Sequence, residues 1–78
     1  MSPAEPDGEG TGIHCRLDEL LEQRGMTLTE LADRVGVSVV NLSVLKNDRA
    51  RAIRYTTLTA ICDVLECEVG ELLVRSRT

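Results

Sequence analysis

Residues 27–47, TLTELADRVGVSVVNLSVLKN, constrain this chain more than any other stretch, because their spacing fits two short helices crossing at a fixed turn. Thr27 can cap a helix, and Glu30 three residues on completes a capping box, so the first helix is expected to start at about Leu28. Leu31 and Val35 lie four apart and share a face. Ala32 is small enough to let another helix cross closely, and Gly36 can take the left-handed conformation that ends a helix. Ser38 can cap a second helix in which Leu42 and Leu45 fall three apart, with Val37 filling the corner between the two.

Leu31, Ala32, Val35, Gly36, Val37, Leu42 and Leu45 occupy core and turn positions of a helix-turn-helix, and in this they resemble the lambda-repressor-like (Xre) family of bacterial DNA-binding regulators. The resemblance runs from about Ile13 to Val74, and GVSVVNLSVLKNDRARAI is similar to a compact subfamily with almost nothing outside the DNA-binding domain. It implies an all-α, lambda-repressor-like bundle of about five helices. A minor two-stranded pairing of Ile13–Cys15 with Leu73–Arg75 is an alternative for the two ends, which β-branched residues permit but do not compel.

Seventy-eight residues are read as one domain, residues 13–78, preceded by a tail at 1–12. A chain this short buries only about 60% of its unfolded surface, so the core must come from a few well-spaced aliphatics and a large enclosed active site is not expected. Phe and Trp are absent and Tyr55 is the one aromatic, which suits small helical packing better than a β-sandwich. No apolar run approaches the roughly 18 residues a membrane span needs, so a cytoplasmic protein without membrane contact is expected. Cys15, Cys62 and Cys67 form no CxxC and share the chain with a single histidine, His14. They read as buried or half-buried thiols rather than disulfide or zinc ligands, and His14 reads as an ordinary surface or edge residue.

The tail, MSPAEPDGEGTG, has no periodic apolar pattern and reads as disordered, with a regulatory arm as the competing reading. Leu17, Leu20, Leu21 and Arg24 set a helical rhythm from 17 to 24 that Gly25 ends, with Asp18, Glu19, Glu22 and Gln23 as its solvated side. Beyond Asn47 a basic loop is expected to run to Tyr55. A fourth helix, capped by Thr56 or Thr57, then carries the buried stripe Leu58, Ile61, Cys62 and Leu65. A short closing helix is expected at Glu71–Leu73, weakened by Gly70, with a frayed end from Val74.

The net charge of −4 looks wrong for a nucleic-acid binder, but it is unevenly spread. Glu5, Asp7 and Glu9 place −3 in the tail, whereas Lys46, Arg49, Arg51 and Arg54 against Asp48 (+4 and −1) make residues 46–54 +3. Local field, not the total, decides where phosphate docks. With Leu42 and Leu45 inward, the second helix of the motif turns Val40, Ser43, Val44 and Asn47 outward, with Val39 and Asn41 on the flanks. These six are the expected base-facing residues in a major groove, where the valines can pack on thymine methyls and Asn41, Ser43 and Asn47 can hydrogen bond. The family more often places polar side chains there and a phosphate-contacting glutamine where this chain has Leu28. Expected phosphate-facing positions are Leu28, Thr29, Ser38, Lys46, Arg49, Arg51 and Arg54, with the helix starts at Leu28 and Ser38 offering backbone amides. Tyr55 is read chiefly as a packing residue and otherwise as a phosphate donor.

The resemblance implies a sequence-specific regulator of transcription, a repressor by occlusion. The expected partner is double-stranded DNA, with no cofactor, metal or small-molecule ligand predicted. A homodimer is expected, because paired recognition helices about 34 Å apart reach successive grooves; Leu72–Val74 are the first choice for its interface. The competing reading is a protein-interaction module, an antitoxin or adaptor, whose valine face binds protein or forms extra core. An enzyme is a poor third, since nothing in the sequence assembles a catalytic constellation.

Overall fold

The computed structural model describes residues 12–75. A strand, β1 (Ile13–Cys15), leads into five helices: α1 (Leu17–Arg24), α2 (Leu28–Val35), α3 (Val39–Lys46), α4 (Tyr55–Leu65) and α5 (Val69–Leu72). A second strand, β2 (Leu73–Arg75), then returns antiparallel to β1 with Ile13 opposite Arg75, His14 opposite Val74 and Cys15 opposite Leu73. The all-α bundle with a minor terminal pairing is therefore the architecture. The expected frayed end is corrected at Val74 and Arg75, which lie in β2; residues 1–11 of the expected tail fall outside the described residues.

Local chemistry starts α2 and α3 where the spacing places them. Thr27 Oγ1 accepts from the Glu30 amide at 3.0 Å while Glu30 Oε1 accepts from the Thr27 amide at 2.9 Å, which closes both halves of the capping box. Ser38 Oγ accepts from the Asn41 amide at 3.0 Å and starts α3. Gly36 ends α2 at φ +89°, a conformation that a Cβ would strain.

The later helices depart from expectation. Neither Thr56 nor Thr57 caps α4: the helix begins at Tyr55, Arg54 stands at the cap position without a side-chain bond, and the Leu58 amide reaches the Arg54 carbonyl at 2.9 Å. A hydroxyl cap helps a helix start but is not required when packing holds the next turn, and Ile61, Cys62 and Leu65 are all buried. The closing helix begins two residues early, at Val69, and includes Gly70. Reciprocal capping between Glu68 and Glu71 offsets the poor propensity of that glycine, and Leu73 leaves the helix for β2.

Every helix supplies at least one side chain with under 2% of its surface exposed: Leu17, Leu31, Leu42, Ile61 with Leu65, and Leu72. The core is thus a single aliphatic cluster to which all five helices are fastened, and no buried residue among those described is polar or charged. Leu72 lies wholly inside it, which removes that residue from the expected dimer surface. No described helix is long and apolar enough to cross a membrane.

Candidate nucleic-acid interface

With Leu42 and Leu45 in the core, α3 has no choice about its opposite side. Val40 is 70% exposed, Val39 and Val44 are exposed beside it, Asn41 and Asn47 are exposed, and Ser43 is half-buried. The reading of these valines as extra core is therefore excluded for Val40. Ser43 Oγ accepts a long 3.4 Å hydrogen bond from Asn47 Nδ2, so two of the three polar candidates on this side lie within reach of each other.

Between α3 and the loop that follows it runs an open groove of about 590 Å³. Leu42, Leu45 and Ile53 form its apolar floor, and Arg49, Arg51 and Arg54, all exposed, stand along it. The fold thus brings Asn41 and Val44 of the helix to the same groove as three of the expected phosphate ligands. Leu28, Thr29, Ser38 and Lys46 do not line it.

Two of those outlying positions have internal contacts of their own. Leu28 packs its side chain against the core, so only its backbone could serve a phosphate. Lys46 is half-buried and its Nζ lies 3.5 Å from Asp18 Oδ1 on α1, so its charge is partly answered within the molecule. Thr29 and Ser38 are exposed. The packing reading of Tyr55 is corrected: at 84% exposure it packs on nothing in this domain's core, which leucines and isoleucine fill without it.

One pair was invisible in the sequence. Asp48, just past the end of α3, accepts the Cys15 amide at 2.8 Å through Oδ1, and His14 Nδ1 lies 2.8 Å from Oδ2. Burial works to raise the Asp48 pKa, but the bonds from Cys15 and His14 outweigh it and hold the carboxyl below its ordinary 3.8. His14 lies on β1, 34 residues earlier, and no spacing rule connects positions so far apart.

The three cysteines are free, Cys15 and Cys62 buried and Cys67 half-buried. Burial pushes the Cys15 thiol up to about 11, with Asp48 and Asp18 adding to the shift and the Leu17 amide opposing it. Burial, then the neighbouring Cys67, raises Cys62 as well. Neither offers a thiolate nucleophile near neutral pH.

The helix pair and the turn between them lie in a stretch that matches a known family. Residues 16–77 match the Cro/C1-type HTH DNA-binding domain. The chain belongs to that family. It is similar to an uncharacterized HTH-type transcriptional regulator, YozG of Bacillus subtilis (strain 168), with 53% identity over 61 residues that cover 78% of this chain and 73% of the relative. Its fold is similar to the crystal structure of the transcriptional regulator VanUg, form II, with a TM-score of 0.68 and 29% identity across 90% of this chain and 95% of that one. Membership of the Cro/C1-type family bears out the expected lambda-repressor-like class, and the chain is not an enzyme.

Proposed function

We propose that this Cro/C1-type domain is a sequence-specific transcriptional regulator that places α3 in the major groove of double-stranded DNA and represses by occlusion, working in the cytoplasm. The observation that carries the reading is the continuity of the exposed α3 face with the arginine-lined groove. In such a pose Val39, Val40, Asn41, Ser43, Val44 and Asn47 meet base edges. Arg49, Arg51 and Arg54, with Thr29 and Ser38 at the helix starts, meet phosphates.

The division of labour follows from residue type. Guanidinium groups release counterions from phosphate and supply affinity without reading sequence. Valines read by shape and methyl contact, so discrimination rests on thymine methyls and on the few hydrogen bonds that Asn41, Ser43 and Asn47 can make. A single domain of this kind binds weakly, which favours a homodimer on a palindrome-like site. Occlusion requires only that the site be occupied, which is the regulatory mode that asks least of a DNA-binding domain.

A second reading has one observation in its favour. Val40 is the most exposed valine of an apolar trio, and adjacent exposed aliphatics also mark protein interfaces. Mobility-shift measurements on duplex DNA across salt concentrations separate the two. The regulator reading expects log affinity to fall with log salt at about −0.9 per phosphate neutralised. Absence of binding to any duplex at low salt would favour a protein-binding module.

A further inference from the structure

Asp48 is the one acidic residue in the cationic stretch 46–54, and an arrangement built for charge alone would leave it out. It also holds an unusual backbone conformation. Among the described residues only Asp48 and Glu66 have positive φ without being glycine, and Asp48 does so at +62°. Its amide donates to the Leu45 carbonyl at 3.1 Å and the Arg49 amide donates to the Val44 carbonyl at 2.9 Å. That paired arrangement ends a helix and ordinarily selects glycine at the left-handed position.

The side chain explains why glycine is not there. Through the Cys15 amide and His14 Nδ1, both at 2.8 Å, the carboxylate ties the exit of α3 to β1. β1 is held in turn by its pairing with β2 and by the Arg16 amide, which donates to the Leu72 carbonyl at 2.7 Å. The next residue, Arg49, is the first guanidinium of the groove. Whatever fixes residue 48 therefore fixes the direction in which the loop leaves the helix.

We propose that Asp48 is a positioning residue for phosphate contact: clasped by Cys15 and His14, it aims Arg49 and the loop behind it through its two hydrogen bonds and not through its charge. The inference rests on the DNA-binding reading above. If Asp48 acted by charge alone, every neutral substitution would strengthen binding equally. The clasp instead distinguishes substitutions of equal charge. Asparagine can accept the Cys15 amide, donate to His14 and adopt the left-handed conformation, whereas glycine keeps the backbone but loses both bonds.

The test compares wild type, D48N and D48G for duplex affinity and salt slope at a temperature where far-UV circular dichroism shows all three folded, with exchange of the Cys15 amide measured alongside. D48N should bind at least as tightly as wild type. D48G should bind about tenfold more weakly than D48N, with a salt slope shallower by about one phosphate and faster exchange at Cys15. Loss of stability alone would not change the slope of the folded protein. Equal affinity and slope for D48N and D48G would overturn the proposal and leave the DNA-binding reading intact. A wild-type chain that binds no duplex would overturn that reading first, and the proposal with it.

Discussion

The two junctions that flank α3 are built in different ways. The one before it, Gly36 to Ser38, is made from neighbours: a glycine that tolerates φ +89°, a half-buried valine and a serine whose hydroxyl caps the next helix. The one after it, Asn47 to Arg54, adds contacts made at a distance to its own helix-ending turn. Its first turn is held by β1 through His14 and Cys15, the helix it leaves is tethered by Lys46 to Asp18 on α1, and the helix it enters has no side-chain cap. Neighbouring residues start the helix that would read bases, while contacts from β1 and α1 hold the place where the arginine-bearing loop begins.

Substitutions that break one junction and spare the other sharpen this contrast. Leu42→Ala empties a core position shared by both and should cost about 3 kcal/mol in chemical denaturation, a large share of the stability of so small a domain. Gly36→Ala attacks the local junction alone; forcing a Cβ into the left-handed region should lower stability by about 1.5 kcal/mol in the same measurement. Arg49→Ala with Arg51→Ala attacks the distant junction alone. It should weaken binding to all duplexes alike by roughly tenfold and lower the salt slope by about two.

Smaller effects follow. Thr27→Ala removes one half of the capping box before α2 and should cost about 1 kcal/mol of stability. The smallest is pH-dependent. Because folding depresses the Asp48 pKa, its contribution is present above the ordinary value of 3.8 and is lost as pH falls through the still lower folded value. Acid unfolding of D48N should therefore depend less steeply on pH than that of wild type below about 3.8.

The same contrast explains what could be read from the chain. Thr27, Glu30, Gly36 and Ser38 act on backbone within a few residues, so the starts of α2 and α3 were legible to the residue. The start of α4 was not, because Thr56 and Thr57 have capping side chains but sit inside a helix that begins without one. The β1–β2 pairing joins segments about sixty residues apart, and three-residue strands carry too little period to compel it over a frayed end. The exposure of Tyr55 was not legible, because a tyrosine can pack or present its hydroxyl and no spacing rule chooses between them. The outward face of α3 was legible from Leu42 and Leu45; the Asp48 clasp was not, since it depends on where β1 ends up.

The central claim is that α3 and the arginine loop together form the surface that meets DNA. Backbone amide shifts of the nitrogen-labelled chain, followed by NMR during titration with a duplex selected from a random pool, test it most directly. The account predicts that the largest changes fall on residues 38–54, with Val40, Ser43 and Arg49 among them. Changes confined to β1, β2 and α5, with residues 38–54 unmoved, would contradict it.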